Sequence, residues 1–290
     1  MPDFPIVDSH LHLWDPIRFR MPWLDEIPLL NRPYGLAEYR EHTRGVEIEA
    51  MVYLQVEVAP AYGLLEAEWV VERAAEDPRL RAIVAWAPCE FGEQSRLYLE
   101  RLVRISPLIR GVRRLIQGEM LGWARQERFV RGVQRLPEYG LSFDICIKHP
   151  QLPETIDLVR RCPNVQFILD HIGKPDIKAG LLDPWREQLR ELASFPNVIC
   201  KVSGVVTEAD HERWTPEDLR PYLEHVLACF GEDRVAFGGD WPVAYQASPY
   251  PRWVETLDRL TAQLSPSAKR KLWVENARRF YRLDAGSGRG

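Results

Sequence analysis

The stretch IVDSHLHLWDP, residues 6–16, opens with a short apolar run and carries His10 and His12 two positions apart. Alternate residues of a β-strand point to the same side, so Asp8, His10 and His12 are predicted to share one face. Polar side chains are costly to bury unless they are paired or used. The stretch therefore predicts a first strand whose end brings two imidazoles together.

Seven further apolar runs rich in β-branched residues follow along the chain. From the first run onward, the starts of consecutive runs are separated by about 24 to 44 residues. This spacing leaves room for a helix and two loops in each gap. Near-continuous apolar strands of this kind are typical of a parallel sheet covered on both faces. The seven runs are 50–56, 81–88, 109–115, 141–149, 165–171, 198–204 and 234–240.

Amphipathic helix patterns occupy several of the gaps. Segment 64–78 stops at a proline, and segment 215–231 opens with an N-cap threonine and closes on a glycine. Further helix patterns cover 93–106, 183–196 and 265–283. Strands that alternate with helices in this way predict an α/β fold, a single (β/α)8 TIM barrel.

The predicted barrel spans residues 1–284, and the final residues AGSGRG, 285–290, are predicted to be a disordered tail. The alternative fold is an open doubly wound sheet. That fold normally carries a glycine-rich phosphate-binding turn after its first strand, and none follows residues 6–12. The barrel is therefore the preferred prediction.

The composition excludes several classes of protein. Hydrophobic residues make up 46% of the chain, charged residues 28%, and the formal net charge is −4, with no basic cluster typical of a nucleic-acid-binding surface. No apolar run reaches the roughly 18 residues of a membrane span, and the first residues carry acids where a signal peptide carries bases. The five scattered cysteines form no CxxC pair, which favours free thiols. We expect a cytoplasmic protein that binds neither nucleic acid nor membrane.

The ends of the predicted strands carry the candidate catalytic residues. In a (β/α)8 barrel, the active side chains come from the carboxyl ends of the strands. His10 and His12 end the first strand, Asp170 and His171 end the sixth, and Asp240 ends the eighth. A lone buried histidine is usually a hydrogen-bonded core residue, but this set of strand-end imidazoles and carboxylates predicts a functional site.

Strands four and seven carry basic residues that can serve the same site. Arg113 and Arg114 are neighbours, so only one can point inward, and Arg113 is preferred because it shares a face with Gly111. Arg113 is predicted to contact the substrate, with a structural ion pair as the alternative. For Lys201, the sequence is equally compatible with either role.

Two tryptophans are predicted to bind substrate. Trp14 lies in a long loop rich in Trp, Arg and Pro, where it either contacts a polyhydroxylated ring or packs within the loop. Trp241 directly follows Asp240 and is better placed to form a pocket wall.

Six motifs together resemble a known family. The ordered set is similar to the amidohydrolase-2 branch of the amidohydrolase superfamily, and within it to the sugar-lactonase group of L-fuconolactonases, L-rhamnonolactonases and pyrone-dicarboxylate lactonases. The resemblance spans nearly the whole chain. The motifs are DSHLHLWDP (8–16), GVRR (111–114), FDICI (143–147), LDHIGKP (169–175), CKVSG (200–204) and FGGDWPV (237–243).

The resemblance implies a (β/α)8 barrel that hydrolyses a cyclic ester, with His10, His12, His171 and Asp240 lining the site. Opening a lactone requires a base for the attacking water, stabilisation of the oxyanion and a proton for the leaving ring oxygen. Asp240 is predicted to be the base, and the three histidines are predicted to polarise the carbonyl.

A divalent metal ion is the alternative use of the same residues. His10, His12 and Asp240 offer three N/O ligands, enough for an open zinc-like site. Arg113 stays protonated and cannot be a ligand. His149 is a less favoured candidate for a further metal ligand, because its parity sets it on the opposite face of the fifth strand from Asp144, Cys146 and Lys148. Some lactonases of the group work without metal, so we predict one ion that can bind without being strictly required.

Two other functions are compatible with the sequence. A metal-dependent decarboxylase of the same superfamily, acting on an aromatic or unsaturated carboxylic acid, would use the same histidine pair and aspartate. A non-catalytic binding barrel is disfavoured by the intact strand-end residues. A homo-oligomer is also compatible, since the apolar residues of the terminal helix either close the barrel or meet a partner.

Overall fold

The computed structural model describes residues 1–284, so the predicted tail at 285–290 lies outside the described residues. Eight parallel strands follow one another around a single sheet in chain order. They are β1 (Ile6–Leu11), β2 (Ile48–Leu54), β3 (Leu80–Ala85), β4 (Ile109–Val112), β5 (Ser142–Ile145), β6 (Phe167–Leu169), β7 (Val198–Val202) and β8 (Val235–Phe237). All eight predicted strands are confirmed.

The sheet closes on itself where the last strand meets the first. The amide of Asp240 donates to the carbonyl of His10 over 2.7 Å, and the amide of His12 donates to the carbonyl of Trp241 over 2.8 Å. These bonds place the end of β8 directly beside the end of β1. The predicted (β/α)8 barrel is confirmed, and its closure brings Asp240 next to the two histidines.

Helices surround the sheet and bury its outer face. They are α1 (Leu36–His42), α2 (Gly63–Glu76), α3 (Ser95–Val103), α4 (Glu127–Gln134), α5 (Leu152–Arg161), α6 (Trp185–Ala193), α7 (Pro216–Phe230), α8 (Tyr250–Leu260), α9 (Pro266–Arg270) and α10 (Asn276–Tyr281), with a π-helical turn at Lys271–Glu275 joining the last two. Each of the five predicted helices overlaps an observed one, although α2 begins one residue before its predicted segment. No helix of the described part is both long and apolar enough to cross a bilayer.

The first strand is irregular, and this changes the face of one residue. Asp8 pairs with Met51 and Leu11 pairs with Tyr53, so an advance of three residues along β1 matches an advance of only two along β2. The Asp8 carboxylate accepts hydrogen bonds from the hydroxyls of Tyr39 on α1 (2.8 Å) and Tyr250 on α8 (3.0 Å), which belong to the outer helical layer. The prediction that Asp8 shares a face with His10 and His12 was therefore wrong, because strict alternation fails at an irregularity.

The C-terminal helix closes the opposite end of the barrel. The Asn276 side chain donates to the carbonyl of Val235 at the start of β8 over 2.8 Å, and Arg282 donates to the carbonyl of Gly140 before β5 over 2.7 Å. Tyr281 is fully buried. The apolar residues of this helix therefore pack against the barrel floor.

Candidate active site

A cavity of about 230 Å³ lies at the carboxyl ends of the strands. This is the end of the barrel at which (β/α)8 enzymes place their active sites. Trp14, Trp23, Ile27 and Val56 supply part of its apolar wall. Its polar lining includes His12, Arg113, Gln117, His171, Lys174 and Asp240.

His10, His12 and Asp240 converge at the base of this cavity. The two Nε2 atoms are 3.2 Å apart, and Asp240 Oδ1 lies 3.6 Å from His10 Nε2 and 3.5 Å from His12 Nε2. All three side chains are buried. The predicted histidine pair and the strand-eight aspartate therefore form one cluster, although Asp240 lies 230 positions after His10 in the sequence.

His171 approaches the same carboxylate from the other side. Its Nδ1 lies 3.9 Å from Asp240 Oδ2 and 3.0 Å from the Ser203 hydroxyl. His171 and Asp240 have positive φ angles of 53° and 54°. Non-glycine residues in this region are strained, and such strain often accompanies functional sites. The two oxygens of Asp240 thus serve different neighbours, Oδ1 the histidine pair and Oδ2 His171.

Burial sets the charge state of the cluster. It lowers the pKa of His10 and His12, and it lowers that of His171 to about 4, so all three rings are neutral at pH 7. Burial would raise the pKa of Asp240, but its histidine neighbours lower it below the usual value.

The hydrogen bonds also assign the ring nitrogens. His12 Nδ1 lies 2.8 Å from the carbonyl of Leu54, an atom that can only accept. In the neutral ring, Nδ1 is therefore the donor, and Nε2 presents a lone pair to the cluster. Arg113 Nη1, which can only donate, lies 3.3 Å from His10 Nε2 and requires a lone pair there as well.

Arg113 forms the structural ion pair considered for it and also lines the cavity. Its Nη1 pairs with Asp170 Oδ2 at 3.1 Å, and its Nη2 donates to the carbonyl of Gln55. The side chain is buried, yet it also lines the cavity. An anchored guanidinium therefore lies at the wall of the site.

Lys201 and Trp241 do not line the cavity. Lys201 is fully buried in an ion pair with Asp144 and Asp170 beneath the site. Trp241 donates from Nε1 to His42 Nδ1 over 3.0 Å and packs against Tyr34 and Tyr39. Trp14 does line the cavity, and its indole N–H donates to loop carbonyls. Of the four residues predicted to bind substrate, the structure brings Arg113 and Trp14 to the cavity.

Lys174 and Gln117 line the cavity but have no place in the prediction. Lys174 Nζ donates to Gln117 Oε1 over 2.7 Å and lies 3.8 Å from Glu208. The motif LDHIGKP contains a usable signal, since Lys174 follows His171 by three residues in the same strand-end loop. Gln117 lies in an irregular segment after β4, where no sequence pattern indicates its direction.

The donor set fits a divalent cation. A tetrahedral zinc ion with bonds of about 2.0–2.2 Å separates its ligand atoms by roughly 3.3–3.6 Å. The three distances among His10, His12 and Asp240 are 3.2, 3.5 and 3.6 Å. Two lone pairs that face each other repel unless a cation lies between them. His149 opens a short turn after β5 and does not belong to the His/Asp groups that converge among the described residues.

Comparisons with known proteins show the family of the chain. Residues 7–283 match the family model described as Amidohydrolase. The chain is 30% identical over 290 residues to L-fucono-1,5-lactonase of Burkholderia multivorans, and the alignment covers 96% of each chain. It is 24% identical over 336 residues to L-rhamnono-gamma-lactonase of Scheffersomyces stipitis, covering 98% of this chain and 100% of the relative.

A solved structure resembles the whole barrel. A crystal structure of an amidohydrolase from Burkholderia multivorans with bound zinc aligns with a TM-score of 0.86 at 28% identity, covering 97% of this chain and 100% of that one. The barrel, the family match and the lactonase relatives together identify a hydrolase of the TIM-barrel class. The chain belongs to the amidohydrolase family, as its motifs predict.

Proposed function

We propose that the protein hydrolyses the cyclic ester of a sugar-acid lactone, such as an L-fucono- or L-rhamnonolactone. The observation that carries this proposal is the Asp240 carboxylate, ionised and in a cavity wall beside three neutral imidazoles. Lactonase relatives of full length support the substrate class. The small cavity, with apolar and polar walls, suits a compact ring that carries hydroxyl groups.

Asp240 acts as the general base in this proposal. Its Oδ2 takes a proton from water as the water oxygen attacks the lactone carbonyl. The carbonyl oxygen gains negative charge, which the cavity-lining N–H groups of His171 and Arg113 stabilise. When the ring C–O bond breaks, the proton on Asp240 passes to the leaving oxygen, and the product is the open hydroxy acid.

One divalent ion, zinc-like, would be held by His10, His12 and Asp240. When bound, it would supply Lewis-acid polarisation of the lactone carbonyl. The lone pairs on both Nε2 atoms support ligation by His10 and His12 in preference to donation toward an oxyanion. Arg113 and His171 supply donors that do not depend on the ion. We therefore propose that the ion strengthens the reaction without being strictly required.

A panel of sugar lactones, followed by acid release, tests the activity, and Asp240→Asn tests the base. The amide cannot accept the proton, so kcat on the best lactone is expected to fall at least about a hundredfold. Asp176→Asn is the matched control, because Asp176 lies on the loop after β6 and outside the cavity lining. Asp240→Asn turnover within tenfold of the parent would contradict the base assignment.

Carbon dioxide release from hydroxybenzoates, without lactone hydrolysis, would establish the decarboxylase alternative.

A further inference from the structure

A network of charged and polar groups lies inside the barrel beneath the cavity. Lys201 Nζ on β7 donates to Asp144 Oδ2 on β5 and to Asp170 Oδ1 after β6, each over 2.9 Å. Tyr281, from the C-terminal helix α10, donates its hydroxyl to the same Asp144 oxygen. These four side chains are fully buried. We call Asp144, Asp170, Lys201 and Tyr281 the interior network.

Asp170 connects the interior network to the active site. Its Oδ1, which accepts from Lys201, also lies 3.4 Å from His10 Nδ1, and its Oδ2 pairs with Arg113 at 3.1 Å. The contact to His10 is longer than an ordinary hydrogen bond. Asp170 is nevertheless the carboxylate that His10 Nδ1 faces, and Lys201 holds the oxygen that faces it.

The position of the His10 proton depends on this contact. Arg113 Nη1 can only donate, so His10 Nε2, 3.3 Å away, must present a lone pair. The proton of the neutral ring then lies on Nδ1, toward Asp170. Buried histidines at functional sites commonly have their tautomer set by the group that accepts from the other ring nitrogen.

We propose that Lys201, held by Asp144 and Tyr281, is a positioning residue that orients Asp170 and thereby keeps the His10 proton on Nδ1. The C-terminal helix at the barrel floor thus supports the active site at the opposite end. Lys201 touches neither the cavity nor the substrate in this role. Only the kinetic part of the test below rests on the proposed lactonase function.

Simple stabilisation does not account for this network. Buried ion pairs are often replaced by apolar residues with no loss of stability. A lysine is also a flexible point charge, yet here its Nζ bridges two carboxylates from neighbouring strands and lies 5.3 Å from the Tyr281 ring centroid. The arrangement selects one orientation of Asp170, which is the property that the His10 tautomer requires.

A charge-balanced double variant tests the proposal. Asp144→Asn with Lys201→Met removes one negative and one positive charge, and it leaves Asp170 paired with Arg113. The seven histidines are labelled with 15N in their rings, and His10→Gln assigns the His10 signals. Ring spectra are recorded before and after chelator treatment, so that a bound ion does not hide the tautomer.

The parent protein is expected to show His10 protonated on Nδ1, and the double variant a mixture of the two tautomers. kcat is expected to fall about tenfold or more, the usual effect of losing a group that orients a site residue, while KM changes less than about threefold. A folded double variant with an unchanged His10 spectrum overturns the proposal. A changed spectrum in a protein without lactonase activity supports the positioning role and removes the proposed function.

Tyr281→Phe provides a milder variant, with Tyr39→Phe as its matched control. Each change removes a buried tyrosine hydroxyl that donates to a buried carboxylate, Asp144 in one case and Asp8 in the other. Tyr281→Phe is expected to shift part of the His10 population to the other tautomer, whereas Tyr39→Phe leaves the His10 spectrum unchanged. Equal effects of the two variants on that spectrum overturn the proposal, even if the double variant does not fold.

Discussion

At the scale of single residues, Gly204 explains how Asp240 and His171 approach each other. Gly204 follows β7 with a φ of +57°. A Cβ atom at this position would lie 2.5 Å from Asp240 Oδ2 and 2.5 Å from His171 Nδ1. Both distances are far below van der Waals contact, so the site depends on the missing side chain.

Gly204→Ala is expected to lower kcat/KM at least about a hundredfold, because displacements of the order of 1 Å at reacting groups have effects of this size. Gly180→Ala is the matched control. Gly180 also has a positive φ, +68°, but a Cβ atom added there would meet no heavy atom within 4 Å. Both variants carry similar backbone strain, and only Gly204→Ala should lose activity. Steady-state kinetics and thermal unfolding of the two variants check this, and equal kinetics would contradict it.

Glu66 makes the stability of the folded protein depend on pH, independently of catalysis. The side chain is buried, and its Oε1 accepts from the Tyr53 hydroxyl (2.8 Å) and the Val56 amide (2.9 Å). Burial nevertheless raises its pKa from 4.5 to about 7. Between these values the native state keeps a proton that the unfolded chain has released, so stability falls as the pH rises.

Glu66→Gln is expected to remove this pH dependence. Between pH 4.5 and 7, the parent should lose up to about 3 kcal/mol of unfolding free energy that the variant retains. Urea unfolding at pH 5 and pH 8 measures the difference for both proteins. The same loss in the two proteins would show that Glu66 is ionised in the folded state throughout.

At the scale of secondary-structure elements, α4 packs unusually closely against the turn that follows β3. A Cβ atom on Gly132, in the middle of α4, would lie 1.9 Å from the carbonyl oxygen of Cys89. The helix backbone therefore contacts the turn directly. This contact holds α4 against the segment Cys89–Gln94.

Gly132→Ala is expected to destabilise the protein by about 2 kcal/mol. The overpacking cost is roughly 3 kcal/mol, and the better helix propensity of alanine offsets about 1 kcal/mol of it. Gly118→Ala is the control, since nothing lies within 4 Å of that position. Denaturant unfolding of both variants is the measurement. A Gly132→Ala variant as stable as the parent would mean that α4 shifts freely.

At the scale of the whole molecule, the cation site links strands at the two ends of the chain. His10 and His12 belong to β1 and its end, and Asp240 follows β8, so an ion bound by all three would cross-link the closure of the barrel. Binding to the folded state alone stabilises it by mass action. A bound ion should therefore stabilise the folded state in addition to assisting the reaction.

Zinc added to chelator-treated protein is expected to raise the free energy of unfolding by about 2.7 kcal/mol at a hundredfold excess over Kd. His12→Gln should abolish the effect, because it removes one of the three ligands. Thermal unfolding at increasing zinc concentration measures this, and metal content is compared with lactone turnover. A parent without any zinc-dependent stabilisation would exclude the site. Turnover that vanishes completely without metal would show that the ion is required.

The local patterns of the sequence predict most of the barrel. All eight strands follow from apolar runs, because a buried parallel strand needs apolar residues on both faces. Helices α1, α4, α5 and α8 have no pattern singled out for them, and only the alternation of strands and helices predicts them. His10, His12, His171 and Asp240 are found because strand ends of a barrel meet at one edge.

Tertiary structure alone decides which other side chains reach that edge. Asp8 leaves the inner face through an irregularity of β1, and Lys201 turns to carboxylates of neighbouring strands. Trp241 packs against Tyr34 outside the cavity, whereas Lys174 lines the cavity. The periodicity of one strand is a local property of the chain. The direction of a polar side chain depends instead on partners far away in sequence, which meet it only after the barrel has closed.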